Sequence, residues 1–115
     1  MADRDKQKIT DILEAINYIE VFINNKSFEN LNDDMLLKSA IMAQLMIIGE
    51  AAKSLSDELK NSTTDIEWHK VVGLRNVLIH EYFGVVWEIV WDTIKVDLPE
   101  LKSKLEKIEY LKLDD

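Results

Sequence analysis

Apolar residues recur along most of this chain at spacings of three and four, the mark of helices with one buried side. From about Asp3 to Asn24 the stripe is Ile9, Ile12, Ile16, Ile19 and Ile23, and Asn24-Asn25 supplies an end. A short loop is expected from Lys26 to about Asn32, with Phe28 and Leu31 plugging the core. The second helix is predicted from an N-cap at Asn32 or Asp33 to about Leu59. Its stripe is Leu37, Ile41, Leu45, Ile48, Ala52, Leu55 and Leu59, and Met35, Met42, Met46 and Ile47 add apolar surface on other sides. A helix so widely apolar is either central or half of a subunit interface. The methionines read as core packing. Gly49 costs helix stability, so it implies a close approach by another helix.

Asn61-Ser62-Thr63-Thr64 is the clearest loop, and Thr64-x-x-Glu67 has the form of a capping box that opens a third helix. That helix carries Trp68, Val72, Arg75, Ile79 and Tyr82 on one stripe and should end near Phe83-Gly84. A fourth carries Trp87, Trp91, Ile94 and Leu98, and Pro99 marks a kink or a fresh first turn. Leu101, Leu105 and Ile108 continue a stripe toward the charged end of the sequence. No strand pattern or repeat interrupts this. The expected architecture is one domain over residues 1–115, an all-α up-down bundle of four to five helices.

Composition narrows the functions open to such a bundle. The chain has 115 residues and no cysteine, which excludes disulfides and thiolate metal sites and fits a reducing cytoplasm. Neither a secretion signal nor an apolar run of membrane-spanning length is apparent. The net charge of -8 weighs against a protein that grips nucleic acid by neutralising many phosphates, while leaving room for one local positive site. There is no phosphate-binding glycine loop, no zinc-binding His-Glu-x-x-His and no serine elbow. His69 and His80 are three helical turns apart, too far for one metal within a helix, and His69 is expected at the surface. Asp33-Asp34 and Asp114-Asp115 read as solvated charge.

One polar set stands out within an apolar segment: Arg75-Asn76-x-x-x-His80-x-Tyr82. At about 100° per residue, Asn76 and His80 share a face about 40° wide, and Arg75 and Tyr82 share another about 20° wide. Arg75 and His80 diverge by about 140° on a regular helix. They converge on one ligand only if the helix is irregular or a second copy of the chain completes the site, which favours a dimer. The residue types suffice for RNA cleavage without a metal. Imidazole can take or give a proton near neutral pH, arginine can hold the charge developing at phosphorus, and an amide can orient either. The plainer alternative is structural: Arg75 paired with Glu50 or Glu81, His80 a bonded core histidine, and Tyr82 a packing aromatic.

From about Ala40 to Leu101 the chain resembles the HEPN superfamily, specifically its HepT type. The resemblance rests on Arg75, Asn76, His80 and Tyr82 in the order R-x-x-x-x-H-x-Y. Ile48-Gly49-Glu50-Ala51, Asp65-Ile66-Glu67-Trp68, Trp87-Glu88-Ile89-Val90 and Asp97-Leu98-Pro99 surround it. It implies an all-α homodimer with an active cleft at the interface. The implied activity is that of a metal-independent ribonuclease toxin acting on cellular RNA, with tRNA a target class and no cofactor. His80 would be the general acid/base, Arg75 the phosphate clamp and Asn76 the supporting polar residue. The implied antitoxin is a minimal nucleotidyltransferase of the MntA type, which would transfer AMP from ATP to Tyr82. Set against this is a non-catalytic HEPN module that binds nucleotides or the nucleotidyltransferase. The acidic net charge favours that alternative.

Overall fold

The structure is a computed structural model. It describes residues 1–80 and 84–113, with side chains at 1–75 and 84–108. The described residues are helical and form no strand. Four long helices, α1 (Asp3–Ile23), α3 (Met35–Lys53), α5 (Trp68–His80) and α7 (Leu98–Leu113), are joined through short ones. The short ones are α2 (Phe28–Asn32), α4 (Asp57–Ser62) and α6 (Trp87–Asp92). α3 packs between α1 and α5, and α7 closes on the other side of α1.

The isoleucine stripe builds the centre. Ile9, Ile12, Ile16 and Ile19 are almost wholly buried against Ile41, Leu45 and Ile48 of α3 and Leu105 of α7, within one cluster. Each such side chain contributes about 1.5–3 kcal/mol by leaving water. α1 ends at Ile23, where Asn25 takes a positive φ of 60° that asparagine tolerates. The expected loop is instead helix α2. Ser27 caps it reciprocally with Asn30, and Leu31 plugs the core as expected.

α3 starts one residue later than expected, with the Asp34 carboxylate accepting from the Leu37 N–H at 3.0 Å. Nor does it run on to Leu59. It stops at Lys53, and the chain restarts as α4. The break is made by a distant residue. Asp5, buried in the first turn of α1, accepts from the Ser56 N–H at 2.9 Å and the Ser56 hydroxyl at 2.6 Å. The Ser56 hydroxyl oxygen in turn caps the Leu59 N–H. The third helix likewise starts at Trp68, not Thr64. The Trp68 indole N–H donates to the Thr63 hydroxyl at 2.9 Å, which fixes the preceding turn without the expected capping box. Of the expected end at Phe83-Gly84, Phe83 lies outside the described residues.

Pro99 opens a fresh helix. Between α6 and α7 the backbone widens into a π stretch, Thr93–Asp97, where the Leu98 N–H reaches back five residues to the Thr93 carbonyl. Pro99 then sits in the first turn of α7, where its missing N–H costs little. α3 is long and apolar enough by composition to cross a membrane, but its buried stripe forms the middle of this bundle. Of the methionines expected to pack in the core, Met42 is half-buried against it, whereas Met35 and Met46 are exposed. Leu36 is 82% exposed and Ile47 44%. With Ala43, these side chains form a second, outward apolar stripe on α3.

Candidate functional site

α3 and α5 touch where the polar set begins. A Cβ added to Gly49 would lie 2.6 Å from the Arg75 Cβ and 2.7 Å from its backbone nitrogen. Only glycine permits that approach. The close contact inferred from Gly49 is therefore made, and its partner is Arg75. One residue on, the Glu50 carboxylate pairs with the Arg75 Nε. Of the two partners weighed for Arg75, Glu50 is the one described; Glu81 lies outside the described residues. The pair is at the surface, with Arg75 27% and Glu50 51% exposed. Such a pair contributes at most about 1 kcal/mol and can be reshaped by an anionic ligand.

Glu50 also lines an open recess of about 540 Å³ with Arg4, Lys53, Ser54 and Ser56. Arg4 and Lys53 were not singled out from the sequence. They come from the starts and ends of different helices, and only the Asp5–Ser56 junction draws these segments together. α5 itself carries no acidic residue from Trp68 to His80, although the molecule is strongly negative. Asp5 also lines the recess, so its two basic side chains face two acidic ones, and Arg75 adjoins it through its partner Glu50.

The remaining residues of the set are placed less fully. Asn76 and His80 lie on the helical backbone of α5, but their side chains lie outside the description, and so does Tyr82 altogether. The convergence of Arg75 and His80 on one ligand therefore falls outside what is described. His69 is exposed, as expected. Among the described residues, no three of His, Asp and Glu converge as metal ligands would.

A separate groove of about 300 Å³ opens between the start of α5 and α7. Ile66, Val71, Leu74 and Leu101 form its floor, with Lys70 and Lys104 at the rim. There Glu67 accepts from Lys70 at 2.8 Å. That hydrogen bond, with the lysine's charge, holds the Glu67 carboxyl below its ordinary pKa and the Lys70 ammonium above its own. Arg75 does not line this groove.

The chain was compared with known proteins. A family model described as Ribonuclease HepT-like matches residues 12–108, a span that contains the second half of α1, the Gly49–Arg75 contact and most of α7. The chain belongs to the HepT-like ribonuclease family. It is 40% identical to "Probable ribonuclease HepT" of Thermococcus cleftensis, over 90% of this chain and 94% of that protein. A "Putative RNase" of Methanocaldococcus jannaschii is 33% identical over 92% of this chain and 98% of its own length. Another "Putative RNase", from Caldanaerobacter subterraneus, is 37% identical over 84% of this chain and 87% of its own. No solved structure matches. Family membership agrees with the all-helical fold and with the resemblance carried by the Arg75–Tyr82 stretch.

Proposed function

We propose that this HepT-like protein is a metal-independent endoribonuclease toxin, in which Arg75, Asn76 and His80 cleave cellular RNA, tRNA being the favoured class. The observation that carries this reading is the anchoring of Arg75. Gly49 fixes its backbone position, and a surface pair with Glu50 keeps its guanidinium beside an open recess lined by both basic and acidic side chains.

In the reaction, the ribose 2′-oxygen attacks phosphorus and loses its proton to an imidazole. The P–O5′ bond breaks, and the 5′-oxygen takes a proton from an imidazolium, leaving a 2′,3′-cyclic phosphate. His80 supplies the proton transfers, Arg75 holds the charge that builds on the phosphoryl oxygens, and Asn76 orients the imidazole or a phosphoryl oxygen. Two copies of the chain complete the cleft. Supporting a homodimer are the outward stripe of Leu36, Ala43, Met46 and Ile47 on α3 and the open surface at Gly73 on α5. The expected test is RNA cleavage that persists in chelator. Arg75→Ala should lower it on the order of 10²–10³-fold, and His80→Ala on the order of 10²–10⁴-fold, with both variants folded. Equal rates in all three proteins reject the assignment.

The off-switch in this reading is a minimal nucleotidyltransferase of the MntA type, transferring AMP from ATP to the Tyr82 hydroxyl with release of pyrophosphate. Tyr82 follows Arg75 by seven residues, so the new phosphodiester would set a negative charge by the arginine. Mass spectrometry after treatment with such an enzyme and ATP should locate one modified tyrosine at Tyr82. Modification of Tyr18 or Tyr110 instead, or undiminished labelling of Tyr82→Phe, refutes it. The competing reading is a non-catalytic nucleotide-binding or nucleotidyltransferase-binding module. The net charge of -8 favours it, and absence of cleavage from every RNA pool would select it.

A further inference from the structure

Two of the three tryptophans are placed unlike the third. Trp68 is buried and its indole N–H is bonded to Thr63. Trp87 and Trp91 are half-buried at the surface of α6, and no described residue accepts from either indole N–H. Each instead carries a lysine ammonium over its ring: Lys38 of α3 lies 5.2 Å from the Trp87 ring centroid, and Lys95 lies 5.6 Å from that of Trp91. Phe28 meets Trp91 edge-on at 6.5 Å and props the ring from behind.

We propose that Trp87 and Trp91 form a platform on which consecutive bases of single-stranded RNA stack, while Lys38 and Lys95 pair with the flanking phosphates. The inference deepens the ribonuclease reading and rests on it for the choice of RNA among polyanions. Three physical points carry it. An exposed cation–π contact is worth about 0.5–1 kcal/mol, whereas stacking a base on an aromatic ring is worth about 1–3 kcal/mol, so a base displaces the ammonium. The displaced ammonium, on a flexible stem, remains close enough to meet the phosphate of the same nucleotide. The two rings are one helical turn apart, about 6 Å along the axis. That is wider than the roughly 3.4 Å rise of stacked bases, so it suits an unstacked strand and rejects a duplex.

The platform is also placed to serve the cleavage site. Lys38 and Glu50 are both on α3, about 18 Å apart along its axis. A strand held at Trp87 and Trp91 would therefore reach Arg75 only after an intervening stretch of nucleotides. In this arrangement the platform selects single-stranded substrate, and the protein needs no large basic surface.

The test uses full-length Arg75→Ala protein, in which cleavage should be slowed on the order of 10²–10³-fold, titrated with a single-stranded oligouridine of about twelve nucleotides. Tryptophan fluorescence should be quenched as the strand binds, and a duplex of equal length should quench far less. In that background Trp87→Leu and Trp91→Leu should each weaken binding by roughly 5- to 150-fold, and Trp→Phe at the same positions should recover part of the loss. Lys38→Gln and Lys95→Gln should each lower the salt dependence of binding by about one phosphate contact. Melting curves of the leucine variants report folding separately, and the lysine variants, which remove only surface charge, keep the test decisive if a leucine variant fails to fold. Binding undiminished in all four variants, or fluorescence unchanged at saturation, overturns the platform. So does unaltered RNA binding accompanied by loss of self-association, which would make this face a protein interface. Quenching in a protein whose Arg75 form cleaves nothing would retain the platform and reject the ribonuclease. Cleavage without quenching would do the reverse.

Discussion

The two glycines in the helices that meet at the candidate site have opposite surroundings. Gly49 on α3 has no room for a Cβ, because the Arg75 Cβ and backbone nitrogen already fill that space. Gly73 on α5 has nothing described within 4 Å of an added Cβ, yet it interrupts a helix where glycine costs about 1 kcal/mol. The first is explained inside the chain: it sets the position of an arginine. The second finds no reason among the described contacts, and its open surface suits a neighbour outside the chain. A region closed by its own contacts holds a functional group steady, and a region left open points to what the molecule meets.

That contrast can be broken or sharpened by substitution. The largest effect is expected from Gly49→Ala. The added methyl must push α3 and α5 apart, costing about 3 kcal/mol and displacing Arg75, so thermal stability and any cleavage should fall together. A melting temperature equal to the parent's would show that the contact is not tight. Next is Asp5→Ala, which removes both acceptors from Ser56 and leaves its N–H without a partner, a loss of about 2 kcal/mol by denaturant unfolding. Gly73→Ala should act the other way. It should raise the stability of the isolated protomer by about 0.4–1 kcal/mol while weakening self-association measured by sedimentation. Stabilisation with unchanged association would leave Gly73 unconnected to a partner.

The smallest effect concerns Glu67 and Lys70. The carboxyl is held below its ordinary pKa, so the pair's stabilisation is present above that ordinary value and fades as pH falls through the depressed one. Both side chains are largely exposed, so Glu67→Gln should change the melting temperature only slightly at neutral pH and not at all in acid. A loss that grows in acid contradicts the pairing.

Much of this was legible in the residues, for identifiable reasons. The isoleucines of α1 are buried at the spacing that predicted them, because period alone defines a helix face. Gly49 announced a close approach because a mid-helix glycine needs a reason. What stayed hidden depended on pairs distant in sequence. Asp5 ends the long helix from 51 residues away. Trp87 finds Lys38 on another helix, although Trp91 and Lys95, four apart, were a local hint. Thr64 and Glu67 have the right spacing for a capping box, but the turn is taken by Thr63 and Trp68 instead. Met35 and Met46 read as core because a helix apolar on two sides does not say which side the bundle covers. For the site itself, Arg75 and its partner Glu50 were foreseen among alternatives. The roles of Asn76, His80 and Tyr82 rest on the motif and the family.

The central claim, that Arg75 and His80 form a metal-independent ribonuclease site, is tested most directly by initial cleavage rates of a tRNA pool in excess chelator. The parent protein should be compared with Arg75→Ala and His80→Ala, both shown to be folded by their melting curves. The parent should cleave robustly, and each variant should fall by at least about a hundredfold. Cleavage that stops with chelator, or that continues unchanged in either folded variant, contradicts it.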